Sequence, residues 1–170
     1  MPSPPPKPSL YSVSGGVLSL SGLALKEFLR AVLARGKPFR FQARGFSMLP
    51  FIQDGDVVTV TPPGGLPPRL GEVVACCHPE TRKLVVHRVL ARRDGEILLQ
   101  GDNTLKPDGY ISLEEVLGRV TRVARHGNRV RLGLGPERGV IVLLARHGLL
   151  QPLINRSRRL LSPFFWRCAV

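Results

Sequence analysis

The apolar positions fall into two textures. From Ser21 to Arg35, Leu23, Leu25, Phe28, Leu29, Val32 and Leu33 recur at helical spacing, with Lys26, Glu27, Arg30 and Arg35 on the other side. Ser21 can cap the start, and Gly36 with Pro38 ends the run. This predicts an amphipathic helix that needs a partner surface. From Lys37 the period shortens to β-type runs separated by turn residues. Phe39 to Ala43 alternates, Asp56 to Thr61 is rich in Val and Thr, and Glu72 to Cys77 is compact. Lys83 to Arg92 and Glu96 to Gln100 flank Arg93-Asp94-Gly95, a hairpin turn signal. Val116 to Arg125 and Arg129 to Leu132 flank His126-Gly127-Asn128, another turn. Many short strands in succession predict a mainly β fold, antiparallel and coiled or barrel-like.

The ends read differently. Residues 1–9 include five Pro and suggest an extended or disordered lead. After Gly135-Pro136 a helical region is expected, with Leu149, Leu150, Leu153, Leu160 and Leu161 as its apolar side. The pattern thus divides the chain into a Pro/Ser/Gly-rich lead (1–20), the amphipathic helix (21–36), a β domain (37–132) and a basic helical extension (133–170).

Charge sharpens this division. The 170 residues carry 25 Lys and Arg against 12 Asp and Glu, a net +13. Residues 1–118 hold 14 basic and 11 acidic side chains, whereas residues 119–170 hold 11 Arg and one acid, Glu137. A polyanionic or membrane-surface partner therefore belongs to the last third. The tail Pro163-Phe164-Phe165-Trp166-Arg167, near Arg156, Arg158 and Arg159, has the make-up of an interfacial anchor. No spanning helix is expected. Pro8 to Leu25 is uncharged but holds five Ser and three Gly, and Gly139 to Ile154 is broken by Arg146 and His147. Three Cys, two of them adjacent, do not form a disulfide framework and fit a reducing compartment.

The candidate chemistry lies in the nearly balanced part. Ser47, in Gly45-Phe46-Ser47-Met48-Leu49-Pro50, sits where the chain turns ahead of a strand, with backbone N–H groups near its hydroxyl. A base is needed, and of His78, His87, His126 and His147 only His87 lies within a strand-like run. A carboxylate must then orient the imidazole. Asp102 and Asp108 both follow the strand ending at Gln100, and both can equally shape turns. No metal-ligand spacing, phosphate-binding loop or cofactor motif is present; Cys76-Cys77-His78 are too close together to close a tetrahedral site.

In order, the segments Gly45–Pro50, Asp54-Gly55-Asp56-Val57-Val58, Gly71-Glu72-Val73-Val74, Val86-His87-Arg88-Val89, Gln100-Gly101-Asp102-Asn103 and Gly118-Arg119-Val120 resemble the signal peptidase I group of serine proteases. More distantly they resemble the self-cleaving repressor peptidases that share its core, together an S24–S26 type. The resemblance spans about residues 38–125. It implies Ser47 as nucleophile and His87 as general base, where many bacterial members carry lysine. That choice resembles the archaeal and endoplasmic-reticulum branch. It further implies Asp108 as orienter, with Asp102 as the alternative, and an oxyanion and substrate edge formed at Gly45, Ser47 and Met48. The implied function is a serine endopeptidase acting on a peptide or protein precursor.

Two features depart from that family. An amphipathic helix stands where a membrane span is usual, so a cytoplasmic or peripheral-membrane relative is expected rather than an enzyme across the membrane. The Arg-rich third also admits a different class, a regulatory protein binding a membrane surface or, less favourably given the few aromatics, nucleic acid.

Overall fold

A computed structural model of the chain describes residues 11–14, 17–20 and 22–156. Among the described residues the main elements, in order, are β1 (Tyr11–Ser14), β2 (Val17–Leu20), α1 (Gly22–Ala34), β3 (Phe39–Gln42), β4 (Val57–Thr61), β5 (Val73–Cys77), β6 (Leu84–Arg93), β7 (Glu96–Gln100), β8 (Gly109–Ser112), β9 (Val116–Arg125), β10 (Asn128–Val130) and α2 (Arg138–Arg146). Strands β1 and β2 form a hairpin of their own. The other eight form one antiparallel sheet in the order β3-β4-β9-β5-β6-β7-β8, with β10 beside β9.

The sheet is mainly β and antiparallel as expected, but it does not close into a barrel. β3 and β8 remain as edges. Register shifts between Thr59 and Val60, Ala75 and Cys76, and Val89 and Ala91 bend the sheet instead. β5 lies inside the sheet between β9 and β6, with a core on each face, and is buried along its whole length. Val73, Ala75 and Cys77 enter a core that includes Leu29 and Leu33 of α1, with Val58, Val60 and Val123. Val74 and Cys76 enter a second core with Val89, Ile97, Leu99 and Ile111.

Three elements differ from the sequence expectation. The hairpin β1–β2 falls inside the stretch read as a lead, where Ser and apolar residues alternate around Gly15-Gly16. β8 starts at Gly109, which with Asp108 reads as a turn in the sequence, because its four residues complete the sheet beside β7. Beyond α2 a further helical stretch covers residues 150–156. Its buried residues are Leu150 and Ile154, packed with Ile141. Leu149 and Leu153, expected on the apolar side, are exposed. Leu160, Leu161, the Pro163–Arg167 cluster and residues 1–9 lie outside the described residues.

The arginine-rich third is not a loose appendage. Arg125 donates two bonds of 2.9 Å to Asp56, Arg119 and Arg138 both approach Glu72, and Arg146 Nε donates to the Leu90 carbonyl at 2.8 Å. Glu137 accepts from the Gly133 and Gly135 amides, and its own backbone amide first, then these two, hold its carboxyl below the usual range. Arg122, Arg129 and Arg131 are exposed.

Gly118 marks where α1 and β4 meet β9. A Cβ there would lie 2.5 Å from the Thr61 carbonyl oxygen, 2.6 Å from Val60 Cγ1 and 2.9 Å from Leu33 Cδ1. Gly118→Ala is expected to destabilise by about 1–3 kcal/mol through overpacking. The urea unfolding midpoint measures it, and an unchanged midpoint would show that α1 is not packed this closely.

Candidate active site

The loop between β3 and β4 carries Ser47. Backbone and carboxylate bonds shape it at both ends. The Ala43 amide donates to the Asp56 carbonyl at 2.7 Å, and the Gly55 amide returns to the Ala43 carbonyl at 2.9 Å. Asp54 Oδ1 accepts from the Gly45 amide at 2.8 Å. The Asp56 carboxylate accepts from the Gln53 amide at 2.8 Å as well as from Arg125. Met48 and Ile52 anchor the loop in the core. From the opposite side, the Asn103 amide donates to the Ser47 carbonyl at 2.7 Å, and Asn103 Nδ2 donates to the Phe46 carbonyl at 3.1 Å. The two Asp-containing boxes seen in the sequence therefore act as clamps on one backbone loop.

His87 sits on β6, opposite Val74 of β5. Strand alternation sends its side chain and that of Arg88 to opposite faces. Arg88 pairs with Gln100 on β7, which sets His87 beside Gly101. That position has to be glycine: a Cβ would lie 2.7 Å from the Ser47 carbonyl oxygen and 3.0 Å from Ser47 Cβ. On the far side of β7, the Asp108 amide donates to the Leu99 carbonyl at 2.9 Å and starts β8.

These placements bring Ser47, His87 and Asp108 together. His87 Nδ1 meets Asp108 Oδ2 in a short hydrogen bond, and His87 Nε2 lies 2.9 Å from Ser47 Oγ. An ionised carboxylate only accepts, so Nδ1 carries the proton and donates. Nε2 then offers its lone pair, and Ser47 Oγ–H donates to it. This is the tautomer a general base requires. His87 and Asp108 are both buried, at 6% and 7% side-chain exposure, so water competes little for their bond.

Asp102, the alternative orienter, is engaged elsewhere. Its two oxygens accept from Arg88 Nε and Nη2, each at 2.7 Å. Arg88 Nη1 also donates to the carbonyls of Gly71 and Gly133, both at 2.8 Å. The guanidinium is fully buried and lies over the Phe51 ring. Burial pushes the Asp102 carboxyl above its ordinary range, and the bonds from Arg88 draw it back down. Asp102 thus ties β6, the serine-facing loop and the segment entering α2. Arg88 lies within one of the segments that carry the resemblance, but its place in the sequence does not show this clamp. The signal available was an arginine inside an otherwise apolar strand, since such a charge must be paired when buried.

The donors near Ser47 are not equivalent. The Gly45 amide is committed to Asp54, so it is not available to an oxyanion. Among the described residues, the Ser47 and Met48 amides have no acceptor within the protein. They are the free donors at the serine itself. The Met48 side chain is buried in the core. Cys76 is no rival nucleophile: burial first, then the Asp108 carboxylate, pushes its thiol far up. Among the described residues no group of His, Cys, Asp and Glu is placed to hold a metal ion.

A family model described as Peptidase S24-like matches residues 14–121. The chain belongs to the Peptidase S24-like family. No curated protein matches it significantly. The S24-like region contains Ser47, His87, Asp102 and Asp108, together with the loops that hold them. Arg125 and Gly133, which brace that region through Asp56 and Arg88, lie beyond it. Among the described residues no helix is long and apolar enough to cross a membrane.

Proposed function

We propose that this S24-like protein is a serine endopeptidase that cleaves a peptide or protein precursor, with the histidine base of the archaeal and endoplasmic-reticulum type of signal peptidase I. The observation that carries the reading is the continuous chain from Ser47 Oγ through His87 to Asp108. Ser47 Oγ attacks the scissile carbonyl carbon while its proton passes to His87 Nε2. The amides of Ser47 and Met48 meet the oxyanion. His87 then protonates the leaving amine, and an acyl-enzyme on Ser47 remains. Water, deprotonated by His87, releases the acid and restores Ser47. Asp108 keeps His87 in one tautomer and stabilises the imidazolium at each transfer. An extended substrate fits the strand-edge mode, because β3 is an edge strand running directly into the serine loop.

The exposed arginines Arg122, Arg129 and Arg131 support contact with an acidic precursor or a lipid face. A cytoplasmic or membrane-surface setting goes with that reading. The test is labelling with a fluorophosphonate probe. Wild type is expected to label, and Ser47→Ala and His87→Ala are expected not to. Labelling that survives Ser47→Ala puts the nucleophile elsewhere. A wild-type chain that does not label favours the alternative, a non-catalytic regulatory or surface-binding protein on the same fold.

A further inference from the structure

We propose that His78 is a positioning residue for Asp108, a fourth member of the chain that begins at Ser47. The inference rests on the assignment of Ser47, His87 and Asp108 above. His78 opens the turn between β5 and β6. Its amide donates to the Lys83 carbonyl at 2.8 Å, and its carbonyl accepts from the Arg82 amide at 2.9 Å. Its Nδ1 accepts from the amides of Glu80 and Thr81 at 3.2 and 3.3 Å. Backbone N–H groups can only donate, so Nδ1 presents its lone pair to the turn. The proton of the neutral ring is therefore on Nε2. That nitrogen lies 3.8 Å from Asp108 Oδ1.

Asp108 consequently sits between two imidazoles. Oδ2 receives His87 Nδ1–H. Among the described residues no hydrogen bond of ordinary length reaches Oδ1, and His78 Nε2–H is the donor beside it. The separation is longer than a hydrogen bond, and such contacts tighten when substrate closes a site. The turn is fixed against Asp108 from two sides. Arg82 Nη1 bonds Glu115 Oε1 at 2.7 Å, just beyond β8. Pro79 Cγ would lie 3.7 Å from a Cβ on Gly109, the residue after Asp108. A carboxylate held at one oxygen can swing about its Cβ–Cγ bond. Held at both, it keeps Oδ2 in line with His87 Nδ1. His78 touches no reacting atom, and its effect passes through Asp108.

Two substitutions separate this role from a role in the turn. His78→Asn keeps an acceptor near the Nδ1 position and removes the donor that faces Asp108. His78→Gln keeps a donor near the Nε2 position and removes the turn acceptor. Full-length protein is labelled with the fluorophosphonate probe to obtain a rate, and the His87 Nδ1 proton is followed by NMR in histidine-labelled samples. His78→Asn is expected to slow labelling on the order of tenfold, the scale seen when an outer hydrogen-bond partner of a metal-bound histidine is removed. The His87 Nδ1 proton should also exchange faster with water. His78→Gln should restore both. The proposal is overturned if His78→Asn leaves the rate and the proton signal unchanged. It is equally overturned if His78→Gln is as impaired as His78→Asn, since a donor at the Nε2 position would then make no difference. If wild type does not label, the peptidase reading fails separately, and the NMR signal still decides whether His78 orders Asp108.

Discussion

Asp108→Asn is expected to slow acyl transfer by about 10,000-fold while leaving the folded state close to wild type. The physical reason is the tautomer. Asp108 accepts the Nδ1 proton of His87, and His87 Nε2 is thereby left as an acceptor 2.9 Å from Ser47 Oγ. An asparagine amide that turns its NH2 toward Nδ1 reverses the arrangement. The imidazole proton then moves to Nε2, which faces Ser47 as a donor and cannot take its proton. The loss should appear in the rate of fluorophosphonate labelling or of peptide-ester hydrolysis, with the urea midpoint as the control. Asp102→Asn should show the opposite profile, with the midpoint falling more than the rate. If Asp102→Asn has the larger effect on rate, the roles of the two carboxylates are exchanged.

Removing one partner of the Arg88–Asp102 pair is expected to cost about 3–5 kcal/mol of stability. Both side chains are almost fully buried, and Arg88 also satisfies the carbonyls of Gly71 and Gly133. Asp102→Ala leaves a buried guanidinium without its counter-charge, and Arg88→Met leaves a buried carboxylate alone. The double substitution removes both charges and should recover part of the loss, because the desolvation cost of the surviving ion disappears with it. Urea unfolding of the two single variants and the double gives the coupling. Simple additivity of the two single losses would show that the pair is not coupled through burial. Loss of activity should accompany the single variants, since Asn103 next to Asp102 holds the Ser47 carbonyl.

The strands were legible because their periods are strong and their turns carry Asp-Gly and Gly-Asn signals. Glu96–Gln100 and Val116–Arg125 have the ends expected for them. β8 was not, since Gly109-Tyr110-Ile111-Ser112 is too short to show alternation and begins with a glycine. The arginine block is legible only in part. Its composition points to a polyanionic or membrane-surface partner, yet Arg119, Arg125, Arg138 and Arg146 reach acids and carbonyls of the β domain. Pairing of that kind depends on partners as distant as Asp56 and Arg125, and charge counting along the chain does not reveal it.

By itself the sequence determined the class of strands, the order of the boxes, and the short set of side chains able to do chemistry: one turn serine, one strand histidine, two loop aspartates. Tertiary structure decided which aspartate lies beside His87. Asp102 and Asp108 are six residues apart in one polar loop and look alike in one dimension. The register of β6, β7 and β8 sets Asp108 beside the face of β6 that carries His87, while Asp102 meets the opposite face, where Arg88 is buried. Alternation along a strand separates neighbouring residues by a whole sheet, and only the folded sheet shows which loop carboxylate each of them meets.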